Sequence, residues 1–348
     1  MRMLPALGAV GAVTLALAAC AGPASQPGSD RGSPGDRLEI VASTTQLADV
    51  TRELVGDAAH VTSLLRPGAS AHAFDPGPTA LTALAGADLL VINGAGLEGW
   101  LDSTVEASGF DGTTVDTSAG LNLIAAEDDP HEGHDHEHDE HAAHEDETAS
   151  DAGHAGHDHG RFDPHVWTDP ANVLAQAEAV RDAVAAAEPT ADIAASADAY
   201  LARLAQLDEW MRGSIAQVPV AERRIVTTHD TFGYLERAFD VQVVGTVLPS
   251  LDDGAGASAA HIDALVAEIR ATGTRVVFSE NAIDPQLAAT IAREAGVELR
   301  QGADALAADA LGPEGSETGT YIGAQIHNTT AMVTAWGAQP LPLPEALA

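Results

Sequence analysis

The stretch PANVLAQAEAVRDAVAAAEPTADIAASADAYLARLAQLDEWMRGSIAQV, residues 170–218, is rich in Ala, Leu, Glu, Asp and Gln and is broken internally only by Pro189. These side chains lose little rotamer freedom in a helix, so the stretch reads as helical. Asp169-Pro170 is a start signal: an acidic side chain able to cap the first amides, then a proline at the first helical position. Pro189 divides the run into one helix followed by a longer one. On both sides the pattern changes to short β-branched runs separated by helical periodicity. Upstream, strands are expected at Leu38–Ser43, Val61–Leu65, Asp88–Asn93 and Thr113–Asp116, with helices such as Gln46–Val55 and Leu97–Ala107. Downstream, strands are expected at Arg224–Thr228, Val241–Val244 and Arg275–Ser279, with helices at Phe232–Ala238, Ser258–Ala271, Pro285–Ala295 and Tyr321–Trp336. The simplest architecture is α/β: two lobes, each with a parallel-type sheet flanked by helices, joined by one long rigid helix. The expected organisation is a leader over 1–20, a tether over 21–37, a first lobe over 38–188, a linking helix over 189–218 and a second lobe over 219–348.

Composition narrows the function. Of 348 residues, 45% are apolar, which excludes wholesale disorder and a multi-span membrane protein. The 16 basic residues are all arginine, against 52 Asp plus Glu, for a net charge of −36. Such a surface repels phosphate, so no nucleic-acid partner is expected. The single cysteine, Cys20, excludes an internal disulfide and any site built on two thiolates. Its place at the end of an apolar stretch that opens with Arg2 and closes with Leu17-Ala18-Ala19-Cys20 is that of a lipoprotein leader. Cleavage would leave Cys20 as an N-terminal thiol, and a diacylglycerol on it would anchor the protein to the membrane. The alternative is a plain secretory leader, and either way the chain is extracytoplasmic.

Residues 21–37 hold almost no apolar side chains and read as a tether. From Glu127 to His159 there are nine His, thirteen Asp or Glu and no Arg, so no core can form there. The segment reads as a long disordered insertion over about 127–160. Its histidines, His131, His134, His136, His138, His141, His144, His154, His157 and His159, put several imidazoles within reach of one ion without a fixed fold. Weak auxiliary metal sites are expected there, since ordering a flexible segment consumes binding energy. An acidic solubilising loop is the other reading.

Open α/β sheets gather binding groups beyond the carboxyl ends of their strands. His72 stands there in Arg66-Pro67-Gly68-Ala69-Ser70-Ala71-His72-Ala73-Phe74-Asp75-Pro76, and His229 in Thr228-His229-Asp230-Thr231-Phe232-Gly233-Tyr234. His165 lies in Asp163-Pro164-His165-Val166-Trp167-Thr168-Asp169-Pro170, just before the long helices. These segments, together with Gly319-Thr320-Tyr321 and His327-Asn328, resemble in order the solute-binding proteins that deliver zinc or manganese to ABC transporters. The resemblance runs from about Leu38 to the C-terminus and is strongest to the zinc branch with a histidine-rich loop.

That resemblance implies one metal ion in the cleft between the lobes, held by His72, His165 and His229. It implies Asp309, in Ala307-Ala308-Asp309-Ala310-Leu311, as the fourth ligand; Asp304, water or another carboxylate are the alternatives. An imidazole at position 229, where manganese-preferring relatives carry a carboxylate, points to Zn2+. Glu280, after the strand ending at Ser279, and Asp230 are candidates to orient a ligand imidazole, with turn capping as the plainer role. His60, His261 and His327 read as surface or packing residues. The function implied is high-affinity zinc capture and delivery to a zinc permease, by a monomer, with release favoured by acid because protons compete for the imidazoles. Alternatives are a manganese-type protein, a metal-buffering lipoprotein or adhesin of the same fold, and a zinc hydrolase with an open three-histidine site. No His-Glu-x-x-His, nucleophile elbow or P-loop supports an enzyme. The long helix should limit closure to loop ordering rather than a clamp motion.

Overall fold

Along the central strands, alternate side chains face opposite sides, and both sides are largely apolar. That pattern needs sheets covered on both faces. The computed structural model, which describes residues 37–126, 162–250 and 256–348, contains two of them. The leader with Cys20 and the nine histidines of the insertion lie outside the described residues, as does the tether up to Asp36. The first sheet holds β1 (Leu38–Ala42), β2 (Ala59–Ser63), β3 (Leu89–Ile92) and β4 (Thr113–Asp116) in the order β2-β1-β3-β4. The second repeats the plan with β5 (Arg224–Thr227), β6 (Gln242–Thr246), β7 (Val276–Phe278) and β8 (Glu298–Arg300) in the order β6-β5-β7-β8. All neighbours are parallel; Ile40 pairs with Val61 on one side and Leu89 on the other, and Val226 pairs with Val277.

Crossovers are made by α1 (Thr45–Val55), α2 (Pro78–Ala85) and α3 (Leu101–Ser108) in the first half. Between the sheets come α4 (Pro170–Ala187) and α5 (Ala194–Ile215); α6 (Gly233–Phe239), α7 (Ala259–Thr272), α8 (Gln286–Ala295) and α9 (Tyr321–Ala335) complete the second half. Asp169 caps α4 by accepting from the Ala171 amide at 3.0 Å, with Pro170 at the first helical position. The long connector is shorter than expected. Rather than starting at Pro189, the helix begins at Ala194, because residues 188–193 form a turn in which Glu188 accepts from the Thr190 amide. Two further elements escaped the sequence reading: α2, and the three-residue β8, which has a single apolar side chain. The helix expected from Leu97 starts only at Leu101, after a loop in which Gly94, Ala95 and Gly96 all have positive φ.

The sheets' outer faces are local. Val41 and Leu90 pack with Leu84 and Leu101, whereas Val226 and Val277 pack with Ile269 and Ile291. The inner faces are not local. Ile40, Ala42 and Val91 of the first sheet share one continuous core with Ile225, Val276 and Phe278 of the second, through α4, α5 and α9. α5 carries the seam. Ala197, Tyr200, Leu204, Leu207, Met211 and Ser214 recur at three- and four-residue spacing and are buried, placing one stripe against α1, α4 and α9. At 1.5 Å per residue its 22 residues span about 33 Å. Among the described residues no helix is long and apolar enough to cross a membrane.

One contact in this seam is pH-sensitive. Asp49 of α1 accepts from the Tyr321 amide at the start of α9 at 2.8 Å. Burial outweighs that bond and raises its carboxyl from 3.8 to about 6. The unfolded chain therefore loses this proton first as pH rises, so folding stability declines between about pH 4 and 6 and the penalty is constant above. Asp49→Asn keeps an acceptor for Tyr321 without the charge. It should stabilise the protein by about 1–2 kcal/mol at pH 8 and by little at pH 4. Denaturant unfolding at the two pH values checks this; an equal effect at both would mean that Asp49 is not titrating in the folded state.

Candidate metal centre

Each sheet places its loops beyond the carboxyl ends of its strands, and the candidate residues converge there. His72 follows β2, His165 follows β4, His229 follows β5, Glu280 follows β7 and Asp309 follows β8. Ligand atoms of His72, His165, His229 and Asp309 lie within 4.8 Å of one another. His72 Nε2 is 3.1 Å from His165 Nε2 and 3.6 Å from Asp309 Oδ2. His165 Nε2 is 3.7 Å from Asp309 Oδ1, and His229 Nε2 is 3.2 Å from Asp309 Oδ2. Two donors each 2.0–2.1 Å from a tetrahedral ion are about 3.3–3.4 Å apart, so these separations bracket a tetrahedral edge.

Two of the three imidazoles are aimed by carboxylates behind them. His165 Nδ1 is 2.7 Å from Asp163 Oδ1, which also accepts from the His165 amide at 2.9 Å. Gly233 makes room for this carboxylate, since a Cβ there would lie 2.6 Å from Asp163 Oδ2. His229 Nδ1 is 2.5 Å from Glu280 Oε2, while Glu280 Oε1 accepts from the amides of Thr228 at 2.8 Å and His229 at 3.0 Å. With Nδ1 of both rings held, Nε2 of each faces the common point. Asp230 is exposed, with its amide donated to the Ser250 carbonyl, and is not among the residues brought together. Asp163 takes the orienting position that the sequence reading offered to Asp230. Its signal was an acid two residues before a histidine across a stiff proline.

Asp309 is 1% exposed, and neither of its oxygens has a hydrogen-bond partner among the described residues. Its loop is fixed from both halves. The Ala308 carbonyl accepts from Gln46 Nε2 at 3.2 Å and Trp167 Nε1 at 2.9 Å, while Asn328 holds Ala307 through both its amide and its carbonyl. Asp304 is exposed, beside Arg300. Burial opposes charge on Asp309, but the imidazoles, His229 foremost, overcome it and bring the carboxyl down to about 2. Burial likewise opposes charge on His229, and Glu280 with Asp309 overcomes it, holding the imidazole up at about 11. A buried carboxylate with unclaimed oxygens among three imidazole nitrogens is a cation-binding arrangement.

The family model described as ZnuA, zinc-uptake complex component A periplasmic, matches residues 40–335. The chain belongs to this ZnuA family. It is 29% identical over 303 residues to the manganese-binding lipoprotein MntA of Halalkalibacterium halodurans, covering 86% of this chain and 89% of that one. To the zinc-binding protein AdcA of Streptococcus pyogenes it is 27% identical over 267 residues, 75% of this chain and 49% of AdcA. The iron-binding protein YfeA of Yersinia pestis is 25% identical over 82% of each chain. In fold it is similar to the periplasmic zinc-binding protein TroA of Treponema pallidum, with a TM-score of 0.70 at 23% identity over 87% of this chain and 100% of that one. ZnuA-family proteins bind metal for ABC transporters, and this chain is a metal-binding solute-binding protein of that kind rather than an enzyme.

Proposed function

We propose that the protein captures Zn2+ outside the cytoplasm and delivers it to a zinc ABC permease, with His72, His165, His229 and Asp309 as the four ligands. The observation that carries this reading is the buried, otherwise unpartnered carboxylate of Asp309 facing three Nε2 atoms at near-tetrahedral separations. Three neutral nitrogens and one carboxylate oxygen suit zinc better than manganese, which favours more oxygen. In solution the ion exchanges its water shell for these ligands. The two halves share a core, so capture proceeds by ordering of loops, and acid favours release because protons compete for the same nitrogens.

The protein is held at the membrane by lipid on Cys20, and the histidine-rich segment collects zinc beside the cleft. Support for the second role lies in its flanks: Ala125 bridges to Phe162, and the Tyr234 hydroxyl joins Ile124 to Asp163, so both ends of the insertion meet next to His165. Competitive zinc and manganese titration of the full chain and of a chain lacking residues 128–160 tests the scheme. One tight zinc site should reject manganese and survive the deletion, while total zinc stoichiometry falls. Manganese winning the tight site would sink the zinc assignment, and loss of the tight site with the loop would sink the collecting role.

A further inference from the structure

His72 is the ligand at which the site meets solvent: its side chain is 9% exposed, whereas those of His165 and His229 are at 0% and that of Asp309 is at 1%. The way in and out for an ion therefore runs past His72. Carboxylates aim the rings of His165 and His229, and His72 is placed through its backbone as well. The Ala71–His72 peptide is fastened at both edges. Its carbonyl accepts from Trp100 Nε1 at 3.0 Å, and its amide donates to Ser70 Oγ at 3.2 Å. Because a peptide unit is planar, fixing those two groups fixes the direction in which the His72 Cα is presented.

Trp100 makes this grip from the position just before α3. Its own carbonyl accepts from Ser103 Oγ at 3.0 Å and from Thr104 Oγ1 at 2.8 Å, so the helix sets its backbone. Its ring meets Phe74 edge-on with centroids 4.8 Å apart, and both aromatics pack against the apolar cluster of Leu64, Leu84 and Leu101. One side chain thus touches the loop on either side of the ligand, at Ala71 by a hydrogen bond and at Phe74 by packing. We propose that Trp100 is a positioning residue for the metal site: through the Ala71 carbonyl, its indole N–H holds His72 on the ion and sets how fast the ion leaves. The inference rests on the four-ligand reading of the site. One hydrogen bond of this kind corresponds to about a tenfold change, and changes at a binding site appear mainly in release.

Two variants of the full chain in detergent separate the hydrogen bond from the packing. Trp100→Phe keeps an aromatic ring beside Phe74 and loses the N–H. Trp100→Gln loses the rings and keeps a donor, because its Nε2 is as many bonds from Cβ as the indole Nε1. Each is loaded with one equivalent of zinc and mixed with excess chelator. Release should be about tenfold faster than wild type in Trp100→Phe and within about threefold of wild type in Trp100→Gln. Denaturant unfolding of the metal-free chains should rank the two the other way, with Trp100→Gln the less stable. Should Trp100→Gln not fold, Phe74→Leu, which removes the aromatic brace and leaves the indole N–H, takes its place with the same expectation. Unchanged release in Trp100→Phe, or release that follows stability across the variants, would overturn the positioning role. A wild type without a tight zinc site, or wild-type release in His72→Ala, would overturn the four-ligand reading instead.

Discussion

Asp309→Ala should weaken zinc binding at the tight site by about a thousandfold or more, close to 4 kcal/mol. The size follows from how the carboxylate is placed. Both oxygens are buried without hydrogen-bond partners, so its interaction with the imidazole cluster is not shared with other groups. Its loop is fastened at Ala307 by Asn328, at Ala308 by Gln46 and Trp167, at Ala310 by Asn281 and at Leu311 by Thr45 and Gly68. These bonds do not involve the Asp309 side chain, so the variant should keep its fold. Competition against a chromophoric chelator reads the change. Affinity within about tenfold of wild type would show that water fills the fourth position as well as the carboxylate does.

The second large effect separates two tasks of one side chain. Glu280→Ala should destabilise the metal-free protein by about 3 kcal/mol or more, because it orphans the buried amides of Thr228 and His229 and leaves the charged imidazole without its nearest counter-charge. Glu280→Gln should recover much of that stability, since an amide oxygen can still accept from both backbone groups. It should not recover metal affinity. The glutamine NH2 would then face Nδ1, which must become the acceptor, and the ring proton moves to Nε2, the atom the ion needs. Zinc affinity should fall about 10- to 100-fold in both variants. Denaturant unfolding and zinc competition, measured side by side, distinguish the tasks; wild-type affinity in Glu280→Gln would refute an orienting role.

The fold was legible wherever one periodicity ran long enough to stand out. The helical stretch from Pro170 onward and the strand at Leu89–Ile92 are strongly patterned, and both are present. β8 was not legible, because Glu298-Leu299-Arg300 has no strand signature and pairs only because β7 lies beside it. In the site, His72 and His229 stood out as histidines in stiff loops beyond strand ends, and His165 as one held between two Asp-Pro steps just before the long helices. Asp309 depended on the resemblance, since nothing in an Ala/Asp-rich run distinguishes it from Asp304. What separates them is tertiary: one loop end is clamped by Gln46 and Trp167 from the first half, and the other acid is left outside.

The continuous core beneath the two sheets has a consequence for how the permease learns that its cargo is aboard. A protein with separate jaws changes outline when it closes, and a partner can sense the new silhouette. Here Ile40 and Phe278, from different sheets, belong to one apolar body, and any plane between the halves would cut through it. The outline should therefore change little on loading. The message has to be written in fine print, in the posture of a few rim residues around His72 and in the local charge that an arriving dication cancels.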